Sequence, residues 1–135
     1  MIKKKNRIIC IGQKNADKIL LNLRNDPNIF CVEIEGENCK VLSDYLTEVS
    51  TKFQFPILSE GYDGYADWIC DLTWIREENI AIVIKNYGEF LCEEQYEKQT
   101  VVDIFEKLVF PWWESEVCEH VVEGKPRSFI VYLVI

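Results

Sequence analysis

Residues 80–84 read Ile-Ala-Ile-Val-Ile, five apolar side chains with no polar break. Successive side chains of a strand point to opposite faces, so a strand built from this run has no wet side. Strands of that kind belong to parallel sheets covered by helices on both faces. Residues 129–135, Phe-Ile-Val-Tyr-Leu-Val-Ile, form a second such strand, entered after Gly124-Lys125-Pro126. Between and before them the apolar spacing turns helical. Residues 15–25 predict a short helix with Asn15 as N-cap, stopped by Asp26-Pro27-Asn28. Ile29 to Glu35 alternates and is β-rich, with Gly36-Glu37-Asn38 as a turn. Val41 to Phe53 carries apolar residues at 42, 45, 46, 49 and 53, a helix with Ser43 as cap, broken by Phe55-Pro56. A third helix is expected over about 60–75 and a fourth from Thr100 to Phe110, where Pro111 ends it or turns the chain. A first short strand fits residues 7–12. The fold class is therefore α/β, a small, mainly parallel sheet of three to four strands flanked by helices. A length of 135 residues fits a single domain, 1–135, with 1–14 as a short N-terminal extension that carries a strand.

Charge narrows the function. The chain holds 15 Lys and Arg against 23 Asp and Glu, a formal net charge of -8. Lys3, Lys4, Lys5 and Arg7 sit in an acid-free start, so from residue 8 onward 11 cations face 23 acids. A general DNA or RNA binder needs cations to replace the counterions of the phosphates, and this body has the wrong sign. It suits basic partners and basic clefts instead. No apolar run approaches the ~20 residues of a membrane span. The apolar stretch after the basic start, Ile8-Ile9-Cys10-Ile11, falls short of the ~7–15 residues of a signal core, and a cytoplasmic protein is expected. Six cysteines, at 10, 31, 39, 70, 92 and 118, include no Cys-x-x-Cys pair. They read as reduced, small hydrophobes rather than as a disulfide or zinc framework.

Enzyme chemistry finds little support. His120 is the single histidine, and nothing local frames it beside a nucleophile. There is no Gly-x-Ser-x-Gly, phosphate loop or dinucleotide fingerprint. The carboxylates are the one constellation. Asp63, Asp67 and Asp71 recur every fourth residue, with Glu60 just ahead. Steps of four drift by only ~40° around a helix, so the four acids are expected on one face, with Tyr65, Trp68, Ile69 and Leu72 turned toward the core. No Lys or Arg occurs between 53 and 75 to offset the repulsion. Three uses are open: a solvated face with no role, a metal site, or a docking surface for a basic partner. Acids along one straight helix fan outward instead of converging on an ion, and no His or Cys completes a ligand set. Tyr62 and Trp74 flank the acids, as aromatic anchors do at interfaces; Trp74 could equally pack under the helix end. Phe110-Pro111-Trp112-Trp113 is a concentrated aromatic patch, open to a core or an interface role.

Phe55-Pro56 followed by Gly61-Tyr62-Asp63-Gly64-Tyr65-Ala66-Asp67-Trp68-Ile69-Cys70-Asp71-Leu72-Thr73-Trp74-Ile75 resembles the central segment of barstar-like proteins. There a Phe-Pro leads into a Tyr/Phe-Gly-x-Asn-x-Asp-Ala-Leu-x-Asp-Cys/Trp-Leu pattern, often followed by Asp-Leu-x-Trp-Leu. Ile34 to Asn38 resembles the family's strand end before its first long helix, Val101-Val102-Asp103-Ile104-Phe105 its late helix, and Phe129 to Ile135 its last strand. Ala16-Asp17-Lys18-Ile19-Leu20 resembles a helix that longer members carry ahead of the first strand. The likeness covers roughly residues 15–135. It implies a compact α/β fold and an inhibitor of a small basic ribonuclease, in which two aspartates one turn apart take the place of substrate phosphates. Matched through Asp71-Leu72-Thr73-Trp74-Ile75, those positions are Asp63 and Asp67. Only four residues separate Pro56 from Gly61, and no Gly-x-Asn precedes Asp63, so the loop into the helix is altered, with Ile57 and Leu58 near the family's tyrosine. A further acidic contact from the late helix would fall near Lys107, beside Glu106.

The resemblance thus implies an immunity-type inhibitor that occludes the basic active site of a ribonuclease toxin. Asp63, Asp67, Asp71, Glu60, Tyr62 and Trp74 are its expected toxin-binding residues. No enzyme activity, cofactor, metal, direct nucleic-acid contact or membrane contact is expected; the oligomeric state stays open, with a monomer favoured. The alternative is a barstar-like regulatory or scaffold module that binds a basic non-nuclease partner. A metal-dependent hydrolase using Asp63, Asp67 and Asp71 is a weaker third.

Overall fold

The structure, a computed structural model, describes residues 5–135; the basic residues Lys3 and Lys4 lie outside the described range. Strand β1 (Arg7–Ile11) leads into helix α1 (Gln13–Asn25), then β2 (Ile29–Glu35), a single 3-10 turn at Gly36–Asn38, α2 (Leu42–Lys52), α3 (Tyr62–Ile69) and β3 (Asn79–Lys85). Helix α4 (Gln95–Ile104) runs on through π-helical turns at Phe105–Val109 and Trp112–Glu116 into α5 (Val117–His120), and β4 (Ser128–Val134) closes the order. All strand pairs are parallel, in the order β1-β4-β3-β2. The expected α/β class holds, with four strands.

The two apolar runs occupy the two inner strands, β3 and β4. Along β3, Ile80, Ile82 and Ile84 face one side, while Ala81 and Val83 face the other. The first side is thick. It packs against α2, α3 and the long α4–α5 segment through Tyr45, Leu46, Val49, Tyr65, Ile69, Val101, Phe105 and Trp113. The second side is covered by Ala16, Leu20 and Leu23 of α1, which carries the chain from one edge strand to the other. Gly36 follows β2 where the backbone comes close to the end of β3: a Cβ there would lie 2.3 Å from the Lys85 carbonyl oxygen.

Several expected boundaries move. Helix α1 starts at Gln13, because the N–H groups of Asn15 and Ala16 both donate to the Gly12 carbonyl; Asn15 is inside the helix rather than its cap. Likewise the N–H groups of Asp44 and Tyr45 donate to Val41, so Val41 and not Ser43 is the N-cap of α2. The fourth helix starts at Gln95 and does not stop at Pro111. Proline removes one N–H from the ladder, and the segment absorbs this by bonding five residues back on either side: the Phe110 N–H to Phe105, and the Val117 N–H to Trp112. The aromatic patch goes mainly to the core. Phe110 and Trp113 are buried, whereas Trp112 is half-buried and stacks on the exposed His120 ring at 6.0 Å. All six cysteines are free thiols. Among the described residues no helix is long and apolar enough to cross a membrane.

Candidate functional site

Helix α3 is only eight residues long, half the span expected. Its end is built by side chains from far along the chain. The Trp113 indole N–H donates to the Ile69 carbonyl at 3.0 Å, taking the acceptor that a further helical turn would use. Leu72 then enters the left-handed region, with φ 52°, and is fully buried. Arg127 fixes the segment that follows. Its guanidinium donates to the carbonyls of Leu72 (2.9 Å), Ile75 (3.0 Å) and Glu77 (2.9 Å), and lies over the Trp113 ring. Burial disfavours its charged form and lowers its pKa, an effect that Glu77, Asp71 and Glu78 oppose.

This early end breaks the four-acid row. Asp63 and Asp67 lie on α3, one turn apart and exposed, opposite the buried Tyr65 and Ile69. Glu60 precedes the helix, exposed at the loop rim. Asp71 lies past the C-terminus, half-buried in a second cleft that it shares with Arg127. The four acids therefore do not share one helical face. None of them makes an ion pair or a side-chain hydrogen bond among the described residues. No three His, Cys, Asp or Glu side chains gather into a metal-binding group among those residues either, so the three aspartates do not form a ligand cage.

The flanking aromatics are tied into the fold. The Tyr62 hydroxyl donates to Glu97 at the start of α4; burial and that carboxylate together push its pKa well up. The Trp74 indole N–H donates to the Phe53 carbonyl at 2.7 Å, and its ring meets Phe55 and Trp68 edge-on. Trp74 thus packs beneath α3. Trp68, expected in the core, is half-buried and reaches the surface beside Asp67. Behind them the Tyr45 and Tyr65 hydroxyls bond to each other at 2.7 Å in the buried interior, locking α3 onto α2. Cys70, next to the helix end, is desolvated and faces Asp67 and Glu116, which pushes its thiol up to about 12 and keeps it protonated.

Sequence reasoning missed the cleft at the start of α3. It is open, about 780 Å³, and lined by Ile57, Leu58, Ser59, Glu60, Asp63 and Trp68 among others. Ile57 and Leu58 keep 68% and 50% of their surface exposed. Two aliphatic residues directly after Pro56, in a stretch with no helical or alternating pattern, were the available signal. The long-range partners Arg127 and Glu97 left none.

Chemically the face can accept hydrogen bonds and charge but holds no nucleophile-and-base pair. Exposed carboxylates one turn apart suit guanidinium and ammonium groups. Fold and face together define an all-parallel α/β protein that presents, on a short helix held from below, acids with no partner among the described residues. The family model described as Barstar (barnase inhibitor) matches residues 29–132, and the chain belongs to that family. Its members are inhibitors of ribonucleases rather than enzymes. The match runs from β2 into β4, so β1 and α1 lie ahead of it. A search of curated proteins gives no significant match.

Proposed function

We propose that this protein is a cytoplasmic immunity inhibitor that binds the basic active site of a ribonuclease toxin and occludes it. The observation that carries this reading is the state of Asp63 and Asp67: exposed, one helical turn apart, and without a cationic partner among the described residues. Paired with Arg or Lys in the toxin, they would occupy the place of substrate phosphates. Glu60 extends the negative rim on the cleft side. Tyr62 and Trp74 act from beneath the contact by holding α3 in place. Asp71, next to Arg127, contributes at the edge. The complex needs no cofactor or metal, and the protomer works as a monomer within one domain.

The test is co-purification with the product of the neighbouring gene, followed by an RNA-cleavage assay. Cleavage suppressed by the intact chain, and restored when Asp67→Ala replaces it, supports the reading. A tightly bound basic partner with no cleavage activity supports the scaffold alternative, which the altered 57–60 loop favours.

A further inference from the structure

The fold treats the two edges of its sheet differently. In a parallel ladder alternate residues turn both backbone groups toward one neighbour, and the residues between them turn theirs away. On β2 the outward groups are largely covered. The Lys52 ammonium of α2 donates to the Glu33 carbonyl, the Glu35 N–H donates to the Glu48 carboxylate at 3.5 Å, and the Ile29 N–H to the Asp26 carbonyl at 3.2 Å. The β1 edge has no such cover. Ile11 stands opposite Val134 and accepts from the Ile135 N–H, so Arg7, Ile9 and Ile11 are the residues that bond to β4. The N–H and C=O groups of Ile8 and Cys10 therefore point away from the sheet, and none of them has a partner among the described residues. No proline or acid interrupts Arg7-Ile8-Ile9-Cys10-Ile11. An open, apolar edge of this kind is a template for another strand.

We propose that β1 pairs antiparallel with β1 of a second copy of this chain, about a two-fold axis at Ile9, and so joins two sheets into one. In that register Ile8 exchanges both backbone bonds with Cys10 of the second copy, and Cys10 does the same with its Ile8, so every free group named above is paired. The half-buried Ile9 meets Ile9 across the axis on the α1 side of the sheet. Charge selects both register and occupant. Lys5 and Arg7 are exposed just ahead of the apolar run, and a parallel pairing of two copies would set Arg7 against Arg7. The antiparallel pairing puts Arg7 opposite Ile11 and separates the two Arg7 positions by about 13 Å along the strands, beyond a Debye length of about 8 Å. The basic end of each strand then extends over the other copy, whose residues from 8 onward hold 11 cations against 23 acids. One short strand pair buries well under the ~1,200 Å² of a stable interface. The chain is thus monomeric at micromolar concentration, and copies pair at about 0.1 mM and above. Asp63 and Asp67 lie outside β1, so each copy keeps its acids for a partner of its own, and this inference stands independently of the inhibitor reading.

The experiment is sedimentation equilibrium of the full chain, kept reduced, from about 0.01 to 1 mM. Wild type should pass from monomer to dimer over that range. Cys10→Pro removes an N–H that faces outward and leaves the ladder to β4 intact, a place where an edge strand tolerates proline. It should weaken pairing about 10- to 30-fold, through two lost hydrogen bonds per dimer, with the thermal midpoint unchanged. A second pair of variants reads the register. In a Cys10→Ser background, Ile9→Cys should oxidise to a cross-linked dimer, because residues facing each other across the axis have Cβ atoms about 5 Å apart. Ile8→Cys, which lies off the axis, should cross-link at least about tenfold less. Wild type that stays monomeric to the top of the range overturns the inference, and so does a folded Cys10→Pro that pairs as wild type does. Equal cross-linking at 8 and 9, or none at 9, overturns it as well. Should Cys10→Pro lower the thermal midpoint, wild-type sedimentation and the cross-linking pair decide.

Discussion

At the scale of single residues, Asp67 and Asp71 make a natural contrast. They are four apart in sequence and were expected on one face, yet only Asp67 stands on the exposed side of α3. A carboxylate that enters a cationic site and loses its water leaves the partner's charges buried and unpaired when removed. Asp67→Ala should therefore weaken the proposed toxin complex by about 2–5 kcal/mol. Asp71→Ala, at the edge and close to Arg127, should cost less than about 1 kcal/mol. Titration calorimetry of both variants gives the comparison; equal losses would mean that the acids act as a single charged patch.

At the scale of elements, helix α3 depends on residues remote from it in sequence. Arg127→Ala removes the donor for three carbonyls in the 72–77 segment and the stacking on Trp113. It should lower the free energy of unfolding by about 3 kcal/mol, measured by urea denaturation. Arg127→Lys should recover little, because an ammonium cannot reproduce the planar fork. A second tie joins the thin face to the sheet edge. Arg24 at the end of α1 grips Glu33 of β2 through two hydrogen bonds of 2.6 and 2.5 Å, with Lys85 at 3.0 Å. These cations hold the Glu33 carboxyl down to about 2. A depressed carboxyl pKa adds stability that is full above the unfolded-state value near 4.5 and disappears as pH falls through about 2. Glu33→Gln should thus cost about 1 kcal/mol at pH 7, a figure reduced for solvent screening, and match wild type near pH 2. Urea midpoints across that range check the sign.

These same elements mark how far the sequence could be read. Strands β3 and β4 were legible because uninterrupted apolar runs have one stable home, the middle of a parallel sheet. The acidic pair was legible too, since Asp63 and Asp67 need only one helical turn between them. The length of α3 was not. The acids kept their period of four beyond Ile69, while the chain turned at Leu72, a residue type that gives no warning of a left-handed backbone. What ends the helix is an indole 44 residues away and a guanidinium from just ahead of β4. Pro111 misled for the converse reason: a missing N–H usually stops a helix, but here wider turns on each side carry it through. Caps at Asn15 and Ser43 failed because Gly12 and Val41 already supplied the first carbonyls.

At the scale of the whole molecule, the acid excess has a kinetic role in the proposed complex. Attraction between unlike net charges acts over a Debye length of about 8–10 Å near physiological salt and raises encounter rates. Raising sodium chloride from about 0.05 to 0.5 M should slow association with the toxin by at least tenfold and leave dissociation nearly unchanged. Stopped-flow mixing separates the two.

The sheet order adds a constraint in time. Strand β4 follows every other strand in sequence, yet it lies between β1 and β3. Until it arrives, β1 has no neighbour to bond with, and Arg127, just ahead of β4, cannot close the end of α3. On a ribosome, then, the nascent chain would hold two separated sheet fragments until β4 is made, in need of shelter from wrong pairing. In the proposed inhibitor role, activity would lag behind translation until the residues of β4 had cleared the exit tunnel.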